Sequence, residues 1–120
     1  MKEELKNRMK EIKADPKVSR ALELLEETHE ETVELQMEIC AVRAPSNMEE
    51  ARAKRFFELM SGIGLDDVYM DEVNNVIGVR KGTGDGPTLV VAGHMDTVFG
   101  PEIDCTPVRK DDGFIWGPGI

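Results

Sequence analysis

Aromatic residues are scarce in this chain, cysteine is nearly absent, and no long apolar run occurs. The aromatics are Phe56, Phe57, Tyr69, Phe99, Phe114 and Trp116. None interleaves with a basic patch, so no nucleic-acid surface is visible. Basic residues are also in deficit, 15 against 24 acidic, for a net charge of −9. That balance opposes non-specific binding to nucleic acid and docking on an anionic membrane. The two cysteines, Cys40 and Cys105, have neither zinc-ribbon nor Cys-x-x-Cys spacing, so two reduced thiols are expected. No apolar stretch approaches a membrane span, and Met1-Lys2-Glu3-Glu4-Leu5-Lys6 lacks the core of a signal peptide. The default location is cytoplasmic, and 120 residues allow one modest domain.

The organisation reads as helices followed by strands. Residues 1–15 form a charged helical extension ending at Asp15-Pro16, an N-cap followed by a proline suited to a first helical position. From there a long helix is expected to about Val42, with Val18, Leu22, Leu25, Thr32, Leu35, Ile39 and Val42 as its stripe. Ala44-Pro45 breaks it. Ser46-Asn47-Met48-Glu49 has the spacing of a capping box for a second helix reaching about Met60, with Ala51, Phe56, Leu59 and Met60 facing inward. Gly62 and Gly64 would close that helix. Strands are expected at Asp67 to Val73 and Val76 to Arg80, joined as a hairpin by Asn74-Asn75. A third strand, Thr88 to Ala92, is the most apolar and would lie centrally. A second hairpin is expected from Asp104–Arg109 and Phe114–Trp116 around Asp111-Asp112-Gly113. The class is α/β, with a sheet left incomplete by the strands present and further crossover helices expected after Ile120.

Chemistry concentrates at the end of the apolar run, in Leu89-Val90-Val91-Ala92-Gly93-His94-Met95-Asp96-Thr97-Val98. In an extended segment residues two apart face the same way, which sets His94 and Asp96 on one side. An imidazole can bind a metal through one nitrogen and donate a proton through the other to a carboxylate that fixes its tautomer. Asp96 suits that orienting role, or could itself be a ligand. A bare His-x-Asp is also a common surface pair, so the motif alone decides little.

The surrounding residues are more specific. Ala92-Gly93-His94-Met95-Asp96-Thr97-Val98-Phe99 resembles the first metal motif of the co-catalytic zinc metallopeptidases, the family of acetylornithine deacetylase, succinyl-diaminopimelate desuccinylase, glutamate carboxypeptidase and tripeptidase. Three further segments match in order: Glu38 to Ser46, Glu72 to Gly78, and Phe114 to Gly119. The likeness covers roughly residues 20–120. It implies that residues 16–120 are the N-terminal part of a catalytic domain whose complete fold is a three-layer α/β/α sandwich. It also implies His94 as a metal ligand and Asp96 as its orienting carboxylate. Two zinc ions are expected in the full-length enzyme, with cobalt or manganese as substitutes. The implied reaction cleaves a peptide or N-acyl amide bond with a metal-activated water, on a small peptide or N-acyl amino acid. A homodimer is expected at full length. The bridging aspartate, the general-base glutamate, the later ligands, the substrate-binding residues and the lid or dimerisation domain would lie beyond Ile120, so this chain alone is expected to be inactive.

The remaining candidates have blander readings. His29, among Glu26, Glu27, Glu30 and Glu31, fits a solvated helix face better than a metal site. Gly82-Thr83-Gly84-Asp85-Gly86 lacks the Gly-Lys-Ser/Thr ending of a phosphate-binding loop and reads as a connection. Cys105 has no histidine nearby in sequence, Asp111-Asp112 reads as turn chemistry, and Met60, Met70 and Met95 read as packing residues. A rival from another class is a non-catalytic interaction module that pairs an open sheet edge with a partner.

Overall fold

The computed structural model describes residues 2–120 and orders four helices before two small hairpins. Two compact units divide the chain, one ending at Gln36 and the other running from Met37 to Ile120.

The first unit is helical. Helix α1 spans Lys2–Ala14, with Glu3 and Glu4 in its first turn and Lys13 in its last, both matched to the helix dipole. Helix α2, Pro16–Glu27, starts as its sequence predicts: the Asp15 carboxylate accepts from the Lys17 amide at 2.8 Å and Pro16 opens the helix. Ser19 Oγ donates to the Lys13 carbonyl at 2.9 Å across the bend. The expected single helix from Pro16 to Val42 is interrupted. Helix α3 covers His29–Ala41, and Thr28 separates it from α2. The Thr28 hydroxyl donates to the Leu24 carbonyl at 2.8 Å, and the Thr32 hydroxyl to the Thr28 carbonyl at 3.0 Å. Side-chain bonding back onto carbonyls four residues earlier competes with the backbone ladder and bends a helix. The expected apolar stripe is covered only in part: Val18, Ile39 and Val42 are half-buried, the rest of it is exposed, and neither α2 nor α3 has a buried residue.

In the second unit, helix α4 spans Glu50–Gly62 and ends before Gly64, whose φ of +71° is cheap only for glycine. The capping box expected at Ser46 does not form. Glu49 holds the cap position in helical geometry without a side-chain cap bond, and Ser46 turns its hydroxyl elsewhere. The inward face is also corrected: Ala51 is exposed, whereas Arg52 and Ala53 are buried and Phe56, Leu59 and Met60 are partly so.

Strands β1, Asp67–Met70, and β2, Val76–Val79, pair antiparallel as expected, with Asp67 opposite Val79 and Met70 opposite Val76, but β1 stops at Met70 rather than Val73 and the turn takes in residues 71–75. Asp71 ties the turn. Its carboxylate accepts from the Val73 amide at 3.0 Å, the Asn75 amide at 2.8 Å and Asn75 Nδ2 at 2.7 Å. Asn74 takes the left-handed conformation, with φ 64°. The hairpin packs on α4 so closely that a Cβ at Gly78 would strike Met60 and Leu65. The second expected hairpin is present but short, with β3, Val108–Arg109, pairing antiparallel with β4, Ile115–Trp116. Lys110 and Phe114 close its turn with a 2.9 Å backbone bond, and the Lys110 ammonium lies 4.1 Å from the Trp116 ring centre.

The central strand expected at Thr88 to Ala92 is not there. The segment is irregular, with Leu89 86%, Val90 78% and Val91 87% exposed. A strand exists through ladder bonds to a neighbour, and β2 pairs only with β1. β-rich composition cannot substitute for a missing partner. The buried apolar core of the described residues is accordingly small: Ala44, Ala53 and Cys105.

Candidate functional site

His94 and Asp96 do come together, but not by the route expected from sequence. With no strand at Thr88 to Ala92, strand geometry does not present them. Their order comes from ties to the α3–α4 junction. The Thr97 amide donates to the Ala44 carbonyl at 2.8 Å, within a parallel bridge between Pro45 and Thr97. Ala44 is fully buried beneath this contact.

Arg52 is the second tie, and sequence reading missed it. It is only 6% exposed. Its Nε donates to the Val42 carbonyl at 2.8 Å, Nη2 to the Val42 and Cys40 carbonyls at 2.5 and 3.4 Å, and Nη1 to the Met95 carbonyl at 2.9 Å. The fixed fork of a guanidinium suits such a multi-point role. A cation beside the last carbonyls of α3 also complements the helix dipole. The Met95 carbonyl lies between the two motif residues, so Arg52 anchors the backbone from which both side chains project.

Ser46 is the third tie. The turn Pro45–Met48 is closed by a 2.8 Å bond from the Met48 amide to the Pro45 carbonyl, with Asn47 at φ 66°. From that turn Ser46 Oγ donates to Asp96 Oδ2 at 2.6 Å. The other carboxylate oxygen, Oδ1, lies 3.4 Å from His94 Nδ1. The Ser46 hydrogen bond holds the Asp96 carboxyl below the usual carboxylate range; partial desolvation opposes this and the His94 charge adds to it. No spacing rule links residues 46 and 96, and the capping-box pattern at Ser46 pointed away from this role.

The resemblance noted above implies a divalent metal ion. The donor set fits it in part. His94 turns Nδ1 toward a carboxylate and its side chain is 95% exposed, leaving Nε2 accessible as a ligand. Among the described residues, however, no three or more His, Cys, Asp or Glu side chains gather as a metal site. The pair can supply one ligand and its orienting partner but cannot enclose an ion, which normally needs about four ligands. His94 and Asp96 are among the residues lining a cavity of about 750 Å³, together with β2 and the bare Leu89–Val91 run.

The other sequence candidates stay outside this cluster. His29 lies at the start of α3 with no buried neighbour on that helix. Cys40 and Cys105 are free thiols. Gly82–Gly86 is an exposed connection, and Asp112 accepts from the Phe114 amide at 3.0 Å as a turn residue.

Known proteins are similar to this sequence over part of their length. The chain is 39% identical over 90 residues to a protein of Thermococcus kodakarensis described as a LysW-lysine/LysW-ornithine hydrolase, a match covering 75% of this chain and 24% of that protein. It is 38% identical over 90 residues to the Pyrococcus furiosus protein of the same description, covering 75% and 26%. It is 31% identical over 78 residues to succinyl-diaminopimelate desuccinylase of Corynebacterium glutamicum, covering 65% and 21%. The chain resembles this hydrolase family. The family likeness read from the sequence therefore stands, with a named member of that family among the relatives. The chain spans about a quarter of the length of the curated relatives it matches. No family model matches the chain. Among the described residues, no helix is long and apolar enough to cross a membrane.

Proposed function

We propose that this chain is the N-terminal part of a metal-dependent hydrolase that cleaves a peptide or N-acyl amide bond, and that His94 is one of its metal ligands. The observation that carries this reading is the paired geometry at residues 94 and 96, where Asp96 faces Nδ1 of His94 and leaves Nε2 accessible. It is supported by relatives described as hydrolases and as a desuccinylase. Zinc is the favoured ion, with cobalt or manganese as substitutes, since imidazole and carboxylate suit several divalent metals. The ion, when bound, supplies a Lewis acid for the scissile carbonyl and lowers the pKa of water.

The chain's own residues bind and orient. Asp96 Oδ1, 3.4 Å from His94 Nδ1, is placed to take that nitrogen's proton, which would keep the lone pair on Nε2 and raise its basicity. Arg52 and the Ala44–Thr97 bond hold the backbone that carries both side chains. In a protein of its relatives' length, further ligands, a general base and substrate-recognition residues would complete the site, and the completed sheet would be the three-layer sandwich. The substrate class is a small peptide or an N-acylated amino acid.

The test compares two proteins. Extended to the length of its relatives, the protein should hydrolyse N-acyl amino acids or short peptides, lose that activity to a chelator and regain it with zinc. Residues 1–120 alone should hydrolyse neither, because His94 and Asp96 cannot close a site; metal-dependent hydrolysis by this shorter chain contradicts the assignment.

A second reading, an interaction module, is favoured by the bare Leu89-Val90-Val91 run. Solution mass separates the two: a monomer at micromolar concentration opposes the second.

A further inference from the structure

We propose that Ser46 is a positioning residue for the metal-binding histidine, selecting the His94 tautomer through Asp96. This rests on the reading of His94 as a ligand. The carboxylate of Asp96 has two oxygens and they are used differently: Oδ2 accepts the Ser46 hydroxyl at 2.6 Å, and Oδ1 faces His94 Nδ1 at 3.4 Å. A carboxylate without the first bond can rotate about its own axis and swing away from the ring. With Oδ2 engaged, Oδ1 remains toward Nδ1 at 3.4 Å and favours the tautomer that carries its proton on that nitrogen. Nε2 is then left with its lone pair, the form a metal ligand requires.

The hydroxyl is itself fixed. Ser46 sits in the Pro45–Met48 turn, which is closed by its own backbone bond and has Asn47 in the left-handed conformation. The neighbouring Pro45–Thr97 bridge sets the distance between the turn and Asp96. The Met95 carbonyl is held by the buried Arg52. Residues on both sides of the Ser46–Asp96 bond are thereby anchored by contacts independent of it, so removing one hydroxyl should change the carboxylate's orientation more than the fold.

A solvent-exposed imidazole carries its proton mainly on Nε2, so the tautomer is a direct readout that needs neither metal nor substrate. The experiment records ring nitrogen shifts of His94 in the 120-residue chain at about pH 8.5, where an ordinary imidazole is neutral. His29, with no carboxylate tie of this kind, provides an internal reference in the same spectrum. The expected result is a Nδ1–H form at His94 in the parent chain, a shift toward the Nε2–H form in Ser46→Ala, and recovery in Ser46→Thr, which keeps the hydroxyl. An unchanged backbone spectrum in Ser46→Ala separates reorientation from unfolding. A parent Nδ1–H preference that survives Ser46→Ala overturns the role of Ser46 alone. A parent chain in which His94 matches His29 overturns the His94–Asp96 pairing on which the proposal rests.

Discussion

One short segment holds two kinds of order. From Leu89 to Val91 the side chains are apolar and almost wholly bare; from Met95 to Thr97 they are partly buried and tied at three points to the α3–α4 junction. The first stretch has the stronger β-forming sequence and forms nothing, while the second has a mixed sequence and is held in place. The difference lies in partners. A strand needs a neighbouring ladder, and none is available beside Leu89 to Val91. Met95 to Thr97 needs only three donors and acceptors, supplied by Arg52, Ser46 and Ala44. The polar contacts, rather than the apolar run, thus define the candidate site in this chain.

The contrast can be broken most forcefully at Arg52. Arg52→Ala leaves the Val42 and Met95 carbonyls without their donor and should cost about 3 kcal/mol, measured as a lowered denaturant midpoint. A neutral result would show that the tied half is held by something else. A smaller effect is expected at Ser46. In the longer protein Ser46→Ala should weaken metal binding about tenfold by titration calorimetry, and Ser46→Thr should restore it.

Acid sharpens the comparison from another direction, by loosening the β1–β2 hairpin, whose turn and second strand line the cavity. The Asn75 side-chain amide, joined by the Asn75 and Val73 backbone amides, holds the Asp71 carboxyl below its usual range against partial desolvation. A depressed folded pKa means that this contribution is fully present above about pH 4 and fades as pH falls from there through the folded value. Denaturant midpoints between about pH 6 and pH 2 should therefore fall less steeply in Asp71→Asn than in the parent. Equal slopes would remove Asp71 as a source of acid sensitivity. The least effect is expected in the bare run. Val90→Lys in the isolated chain should change stability by less than about 0.5 kcal/mol, because the side chain touches little. A larger loss would mean that Val90 is covered in solution, which analytical ultracentrifugation of both chains would reveal as association.

Local chemistry was legible in the sequence. The Asp15-Pro16 helix start, the glycine-limited end of α4 and the turns of both hairpins depend on residues close in the chain, and each formed where its pattern lay. The His94–Asp96 juxtaposition lay in the pattern, but the strand expected to present it is absent and distant residues hold it instead. Ser46 and Arg52 were not legible. Their partners lie 50 and 43 residues away, and a local pattern, the capping box, offered Ser46 a competing use. The apolar stripe of α2 and α3 and the run at Leu89 to Val91 were misread in a related way. Periodicity and composition say which face would be buried, but burial requires a covering surface.

The most direct test of His94 as a metal ligand is a zinc titration of the protein extended to the length of its relatives, alongside its His94→Ala variant. The predicted result is that the parent binds zinc tightly and His94→Ala loses one equivalent or binds it at least about a hundredfold more weakly. Equal stoichiometry and affinity in the two proteins would contradict the assignment and leave His94 and Asp96 as a surface pair.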